Sequence, residues 1–322
     1  MSAPSRRSVV IDCDPGHDDA LAMLLAARHL DVRAITAVQG NAPLSRTHVN
    51  ARRVLELGGL TGIPVAAGCA EPLVGEAHYA ADVHGASGLG GVDLPEPSMD
   101  LVDAHAVDLL IDLSRTVPDL HVIAVGPLTN VATAMQRDPG FASRVARFTV
   151  MGGSLTWGNV TPAAEFNVWC DPEAADIVFE SGAPITLVGL NVTMQSIATP
   201  DRRAQLRATG RRAATAAADM LDQYAVGEGT YSGLPGGALH DPMAVATLID
   251  PSIVELVPMR VQMELDGTHT RGMTLCDGRG LGPDLRPRGH RSDAAPANAD
   301  VAVAVDEERF WQLLLESIAA YD

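Results

Sequence analysis

Four aspartates lie within eight residues near the start of the chain, in the segment 12–19 (DCDPGHDD). Carboxylates this close repel one another and shift towards protonation unless a cation neutralises them. Helix capping and a Pro-Gly turn explain one or two of these aspartates, but not all four. Since carboxylate oxygens favour Ca²⁺ or Mg²⁺ over zinc, the spacing predicts a site for a hard divalent cation, with capping and turn formation as the alternative.

The elements around this segment place it at the end of a strand. A short apolar run at 9–11 precedes it and a helical pattern at 18–29 follows it. In open α/β sheets, ligands bind at the carboxyl ends of the strands. We therefore expect the acidic segment to lie in a ligand-binding crevice.

Strand and helix patterns alternate along most of the chain, which predicts an α/β fold with a mostly parallel, mixed central sheet and helices on both faces, a Rossmann-like open sheet. The predicted strands are 9–11, 34–38, 64–67, 121–125, 148–151, 185–190 and 300–305, with a hairpin of 255–265 and 271–276. The main predicted helices are 18–29, 45–57 with Ser45 as N-cap, 103–115 and 307–319.

A single domain is the expected organisation. The chain shows no internal repeat, and the Pro-, Gly- and Arg-rich stretch 278–299 lies between two predicted strands. That position predicts a long surface loop and not a domain boundary. We expect a flexible tail at 1–8, followed by one α/β domain at 9–322.

Composition limits the partners and the compartment. A formal net charge of −17 disfavours binding to nucleic acid. No apolar run is long enough to span a membrane, and the polar start lacks the pattern of a signal peptide. The four cysteines are widely spaced, which favours reduced thiols. These features predict a cytoplasmic protein.

A paired-aspartate motif after a first strand also occurs in phosphatases of the haloacid-dehalogenase type. There the first aspartate is a nucleophile, and the second is followed by a Gly-Thr or Gly-Val type of turn. Here Asp14 is followed by Pro15-Gly16 and a second acidic pair. This fits the phosphatases poorly, and we keep them as the alternative enzyme class.

The run 12–20 (DCDPGHDDA) closely resembles the N-terminal signature of the inosine–uridine-preferring nucleoside hydrolases. Further matches to that family follow in order, at 40–41 (GN), 84–88 (HGASG), 126–130 (GPLTN), 151–153 (MGG), 164–167 (AEFN), 171–174 (DPEA) and 240–242 (HDP). These motifs occur in the same order as in the family, and the resemblance extends from about Val9 to the last helix. The chain therefore resembles this family over almost its whole length.

The resemblance implies a bound Ca²⁺. Its expected ligands are Asp14, Asp19, the backbone carbonyl of Thr129 and Asp241, with water and the ribose 2′- and 3′-hydroxyls at the other positions. Such an oxygen-only set suits Ca²⁺, which accepts about 6–8 ligands. Taken alone, Asp241 would be interpreted as a helix cap, because it precedes a proline.

The resemblance also implies a substrate-binding set. It consists of Asp18, Asn41, His84, Met151, Asn159, Glu165 and Asn167, with Asp18 on the sugar hydroxyls and His84 near the base. Amides and carboxylates suit a polyol, since they donate or accept hydrogen bonds in fixed directions. By itself, each asparagine would be interpreted as a turn residue.

The expected reaction is hydrolysis of the N-glycosidic bond of ribonucleosides of the inosine or uridine type, giving free base and ribose. Breaking this bond produces an oxocarbenium-like transition state. A metal-activated water with Asp14 as general base would supply the nucleophile. His240 is the predicted acid for the leaving base, because histidine titrates near neutral pH.

Other features leave alternatives open. Tyr224 and Tyr231 precede a Gly-rich run and belong either to a flap over the base or to ordinary packing. Trp157 lies in the region where the purine-specific branch of the family places tryptophans, whereas Trp169 and Trp311 have no clear match. A binding protein without turnover is the non-enzymatic alternative. We expect a homodimer or homotetramer that functions in nucleoside salvage or catabolism.

Overall fold

Nine strands form the central sheet of the computed structural model, which describes residues 6–280 and 295–322. The strands are β1 (Ser8–Cys13), β2 (Asp31–Ala37), β3 (Val65–Ala67), β4 (His121–Ala124), β5 (Arg147–Met151), β6 (Ile185–Val188), β7 (Val254–Met263), β8 (Thr274–Asp277) and β9 (Ala299–Val305).

Their order across the sheet is β3-β2-β1-β4-β5-β6-β9-β7-β8. Neighbours from β3 to β9 are parallel, whereas β7 is antiparallel to both β9 and β8. The structure therefore confirms a single-domain α/β fold with a mostly parallel, mixed sheet. The predicted hairpin is β7–β8, in which Arg260 is opposite Asp277.

Helices connect the strands and cover both faces of the sheet. They are α1 (His17–His29), α2 (Leu44–Leu57), α3 (Ala81–His84), α4 (Ala106–Thr116), α5 (Thr129–Arg137), α6 (Phe141–Arg144), α7 (Phe166–Cys170), α8 (Pro172–Phe179), α9 (Leu190–Thr193), α10 (Pro200–Ala208), α11 (Arg212–Ser232), α12 (Asp241–Ile249) and α13 (Glu307–Ile318). Two short 3₁₀ turns lie at Pro251–Ile253 and Gly278–Gly280.

Two hydrophobic cores lie on opposite faces of the sheet. Val9 and Ile11 of β1 belong to the core that packs against α1, α2, α11, α12 and α13. Val10 belongs to the core that packs against α4, α5 and α8. Because alternate side chains of a strand point to opposite faces, a strand covered by helices on both sides consists of continuous apolar residues.

Several boundaries differ from the sequence prediction, including the following three. Ser45 is not the N-cap of α2: the helix begins at Leu44, and the carbonyl of Pro43 accepts the first backbone hydrogen bonds. Helix α4 begins at Ala106, since Nδ1 of His105 accepts the N–H of Val107. The strand predicted at 185–190 ends at Val188, and Leu190 begins α9.

Two predicted segments, the tail 1–8 and the loop 278–299, lie largely outside the described residues. Strand β1 begins at Ser8, one residue before the predicted domain boundary, and residues 1–5 are not described. The predicted surface loop 278–299 lies mainly in 281–294, which is also outside the described part. No helix among the described residues has the length and apolar character needed to cross a membrane.

Candidate active site

The connection pattern of the sheet opens a crevice between β1 and β4. The two strands are neighbours, but the chain leaves β1 towards β2 on one side and leaves β4 towards β5 on the other. Such a point of reversal is where open α/β sheets bind ligands. The loop after β1 carries Asp14, and the turn after β4 carries Gly126. These segments are close together, because a Cβ added to Gly126 would lie 2.6 Å from Oδ1 of Asp14.

Three buried carboxylates converge at this crevice. Each of Asp18, Asp19 and Asp241 offers an oxygen, and the three oxygens lie within 4.8 Å of one another. Asp18 and Asp19 are in the first turn of α1, and Asp241 is the first residue of α12. The N–H of Asp241 lies 3.4 Å from Oδ2 of Asp18, which links the two helix N-termini.

Asp19 also caps the chain around the start of α1. Its Oδ2 accepts the N–H of Gly16 at 2.8 Å, and its Oδ1 accepts the N–H of Asp14 at 3.2 Å. The side-chain amide of Asn41 donates to Oδ2 at 3.0 Å. Asp19 therefore caps the start of α1, as the alternative interpretation expected, and also belongs to the carboxylate cluster.

Asp14 is buried, its N–H contacts Asp19 of the cluster, and one oxygen of its carboxylate is in use. Its Oδ2 accepts the N–H of Asn41 at 2.6 Å. Its Oδ1 is buried and has no hydrogen-bond partner among the described residues. Gly40 lies so close to the carboxylate that an added Cβ would overlap Oδ2. A buried carboxylate oxygen without a partner is costly, so it points to a cation, a proton or water at this position.

Burial and mutual repulsion favour the neutral forms of these carboxyl groups. Burial first, then the charge of Asp19, raises the pKa of Asp18 to about 8, and burial raises the pKa of Asp19 to about 6. Burial, followed by repulsion from neighbouring aspartates, holds the pKa values of Asp14 and Asp241 well above the usual range. A divalent cation would reverse this shift, and a set of carboxylate oxygens fits Ca²⁺ or Mg²⁺.

A cavity of about 710 Å³ opens beside the carboxylates. Its wall contains nine of the residues predicted from the sequence, namely Asp18, Asn41, His84, Met151, Asn159, Glu165, Asn167, His240 and Asp241. The other three, Asp14, Asp19 and Thr129, are buried and do not line this cavity. The structure thus brings a polar cavity wall next to the carboxylate cluster.

Glu165 organises one part of this wall. Its buried carboxylate accepts backbone N–H groups of Gly153 at 2.8 Å, Asn167 at 3.0 Å and Val168 at 3.2 Å, which caps α7. Burial raises its pKa to about 7 despite these bonds. The side-chain amide of Asn167 donates to the carbonyls of Val125 and Met151. The backbone therefore holds both side chains in fixed orientations.

Asn159 differs from these two residues in its environment. It is exposed on the segment between β5 and α7, and its Oδ1 accepts the N–H of Phe166 at 3.0 Å. Because Oδ1 is engaged, the NH₂ group is the part of this amide that remains for a ligand.

Two histidines border the same cavity. Nδ1 of His240 lies 2.7 Å from the hydroxyl oxygen of Thr193, and Nδ1 of His84 lies 3.2 Å from the backbone nitrogen of His17. Burial lowers the pKa of His240 to about 4 and holds that of His84 well below its ordinary value. Both rings are therefore neutral at pH 7 in the ligand-free protein.

Tyr224 packs against the histidines from α11. It is buried, and its ring centroid lies 5.2 Å from that of His84 and 5.9 Å from that of His17. Tyr224 is thus packed against the two histidines and also lines the cavity. The side chain of Tyr231 lies outside the described residues.

Several lining residues were not predicted from the sequence. His78 and Trp169 pack together on the wall with ring centroids 4.4 Å apart, and Tyr79 lies beside them. Trp157 also lines the cavity, although 62% of it is exposed. The sequence did contain a signal for these residues. His78 and Tyr79 are adjacent ring residues shortly before His84, in a chain with only 4% Phe, Trp and Tyr. Trp311, in contrast, is buried against Phe310 in α13.

Comparison with known proteins identifies one family along almost the entire chain. The sequence model described as "Inosine-uridine preferring nucleoside hydrolase" matches residues 9–312. The chain is 41% identical to the pyrimidine-specific ribonucleoside hydrolase RihA of Citrobacter koseri over 319 residues, which cover 97% of this chain and 98% of the relative. It is 39% identical to the inosine-uridine preferring nucleoside hydrolase of Leishmania major over 318 residues, 97% of each chain.

Solved structures give the same result. A plant nucleoside hydrolase, the PpNRh1 enzyme, superposes with a TM-score of 0.90 at 35% identity and covers 98% of this chain and 99% of its own. The purine-preferring ribonucleoside hydrolase from Gardnerella vaginalis superposes with a TM-score of 0.88 at 32% identity and 98% coverage of both chains. The similarity therefore includes both the sheet and the segments that surround the cavity.

Proposed function

The chain belongs to the inosine-uridine preferring nucleoside hydrolase family and is a ribonucleoside hydrolase, and on this basis we propose that it cleaves inosine- or uridine-type ribonucleosides with the help of Ca²⁺. The observation that carries the proposal is the group of buried carboxylates of Asp18, Asp19 and Asp241 beside a polar cavity.

Asp14, Asp19, Asp241 and the backbone carbonyl of Thr129 would hold the cation. The unpartnered Oδ1 of Asp14 and the raised pKa values of these aspartates support this assignment. When bound, Ca²⁺ would neutralise the carboxylates, acidify a nearby water and attract the ribose hydroxyls.

The polar wall would hold the ribose. Asp18 belongs to the carboxylate cluster and Asn41 donates to Asp19, and both line the cavity, so we assign them to the sugar hydroxyls. Glu165, Asn167 and Asn159 also line the cavity, and the amide of Asn167 donates to the carbonyl of Met151. The fixed orientations of Glu165 and Asn167 would hold the sugar without a reorganisation cost, which favours the flattened ring of the transition state.

The bond changes can be assigned to residues of this chain. Asp14 takes a proton from the attacking water, whose oxygen bonds to C1′ of the ribose. The electron pair of the C1′–N bond leaves with the base, and the base receives a proton from His240. Although the ligand-free pKa of His240 is about 4, negative charge developing on the base favours its cationic form. Solvent then restores the proton of His240 and removes the one on Asp14.

The base would lie against the rings that line the cavity, which include those of His84, Tyr224 and Trp157. The relatives include pyrimidine-specific, inosine-uridine preferring and purine-preferring enzymes by name, so the preferred base is left open within these classes. We further propose a cytoplasmic homodimer or homotetramer in nucleoside salvage or catabolism. Four free cysteines and a net charge of −17 support a reducing compartment and no binding to nucleic acid.

A substrate panel with and without a chelator tests the proposal. Uridine, inosine, cytidine and adenosine would be compared with their 2′-deoxy forms and with nucleoside monophosphates. We expect base and ribose from the ribonucleosides, much slower turnover of the deoxy forms, and loss of activity in chelator that Ca²⁺ restores. Full activity in chelator would refute the cation, and release of phosphate without base would refute the glycosidic reaction.

A further inference from the structure

Among the described residues, the side chain of His240 has one hydrogen-bond partner, the hydroxyl of Thr193. The distance from Oγ1 to Nδ1 is 2.7 Å, within the range of a good hydrogen bond. Thr193 is fully buried and His240 is 7% exposed, so bulk water does not compete for this contact. The two residues are 47 positions apart in the sequence.

Backbone hydrogen bonds near both residues hold Thr193 and His240 close together. The N–H of Leu239 donates to the carbonyl of Ser196 at 3.0 Å, and the N–H of Ala198 donates to the carbonyl of Gly237 at 2.9 Å. An antiparallel bridge between Ile197 and Ala238 completes the pairing. The segment after Thr193 and the segment before His240 are therefore held side by side.

The hydrogen-bond partners of Thr193 determine which of the two groups is the donor. Among the hydrogen bonds of the described residues, the Thr193 hydroxyl has no acceptor other than Nδ1 of His240. A buried hydroxyl needs an acceptor for its proton, so the O–H donates to Nδ1. In the neutral ring, the proton of the imidazole must then be on Nε2. That nitrogen is the one left for the cavity, which His240 lines together with Leu190 and Met194.

We propose that Thr193 is a positioning residue that holds His240 as the Nε2–H tautomer, with Nε2 directed at the leaving base. Thr193 has this function only if His240 assists the departure of the base, so the assignment rests on the proposed function. When the ring is protonated for transfer to the base, the hydroxyl turns and accepts Nδ1–H, so Nε2–H still faces the base in the cationic form. Without the hydroxyl, the ring would be free to rotate, and Nε2 would no longer be held towards the base.

A purely structural contact would have different consequences. A buried Thr–His pair that only stabilises the fold would lower the free energy of unfolding without favouring one substrate over another. A positioning contact matters when the base needs protonation and not when the leaving group departs readily as an anion. Uridine or inosine and 4-nitrophenyl riboside provide this comparison.

Thr193→Val removes the hydroxyl at nearly constant volume, and Thr193→Ser retains it. We expect Thr193→Val to lower kcat on uridine or inosine about 10- to 100-fold, part of the usual contribution of a general acid, and to leave 4-nitrophenyl riboside almost unchanged. Thr193→Ser should behave as wild type on both substrates. The matched control is Thr247→Val, which removes a buried hydroxyl that bonds to the carbonyl of Met243 within α12. Equal losses on both substrates would overturn the positioning role.

The tautomer can be read without turnover from ¹⁵N chemical shifts of histidine-labelled protein. We expect the Nε2–H form of His240 in wild type and in Thr193→Ser, and loss of that form in Thr193→Val. A wild-type ring protonated on Nδ1 would overturn the proposal. His240→Ala separates the two hypotheses: an equal loss on both substrates rejects His240 as the acid, whereas a selective loss in His240→Ala without one in Thr193→Val rejects only the role of Thr193.

Discussion

The backbone nitrogen of His17 lies 3.2 Å from Nδ1 of His84, and a backbone N–H can only donate. Nδ1 of His84 must therefore be the unprotonated nitrogen, and the neutral ring carries its proton on Nε2. The rings of the two histidines also stack, with centroids 5.3 Å apart. Gly16 makes this approach possible, since an added Cβ would lie 2.5 Å from the same Nδ1. His84 is thus held as a hydrogen-bond donor on the cavity wall.

His84→Phe tests this donor while retaining a ring that packs on His17 and Tyr224. A lost hydrogen bond costs about 0.5–1.5 kcal/mol, so kcat/KM for uridine or inosine should fall about 2- to 10-fold. Steady-state kinetics with 4-nitrophenyl riboside provide the comparison, because this substrate lacks the nucleobase. An identical fall on both substrates would assign the effect to packing.

Asp14→Asn tests the proposed base with the smallest change in shape. The amide oxygen can still accept the N–H of Asn41, but the side chain loses its charge and its ability to take a proton. We expect kcat to fall about 10²- to 10⁴-fold, together with weaker Ca²⁺ binding. Calorimetric titration with Ca²⁺ and single-turnover assays measure the two effects separately. Wild-type activity in this variant would remove Asp14 from the mechanism.

The metal-free protein should lose stability as pH rises. The pKa of Asp18 is raised from 3.8 to about 8 and that of Asp19 to about 6, so the folded state binds more protons than the unfolded state. The free energy of unfolding then falls with increasing pH, from about pH 4 to about pH 8. Urea unfolding in chelator should show this decline, and saturating Ca²⁺ should remove it. A metal-free protein that becomes more stable over the same range would contradict the pKa shifts.

Gly40→Ala tests how closely the chain approaches Asp14. The new Cβ would overlap Oδ2 of Asp14, so the carboxylate or the loop must move, and we expect weaker Ca²⁺ binding and slower turnover. Gly62→Ala is the matched control, because a Cβ there meets no atom within 4 Å. Ca²⁺ titration of both variants measures the difference. Equal affinities would show that the position of Asp14 tolerates the displacement.

The sequence alone was sufficient for the α/β fold, for most strands and for the family. Local patterns carry this information: a run such as Val9-Val10-Ile11 is apolar because helices cover both faces of β1, and the acidic loop follows directly from it. The family resemblance also selected nine residues that line one cavity, eight of them within the ordered motifs. Helix starts were less accurate: Pro43 and not Ser45 is the N-cap of α2, and α4 begins at Ala106 and not at Asp103.

Only the tertiary structure decided which distant residues hydrogen-bond to each other and which tautomers and pKa values result. Thr193 carries no motif, and its contact with His240 exists because the segments on either side of residues 197 and 238 pair with each other. His17 was not among the predicted site residues, yet its backbone N–H sets the tautomer of His84. The carboxyl pKa values likewise depend on burial, which removes water from groups that a sequence shows only as neighbours. Such effects arise from contacts in space, and no local pattern encodes them.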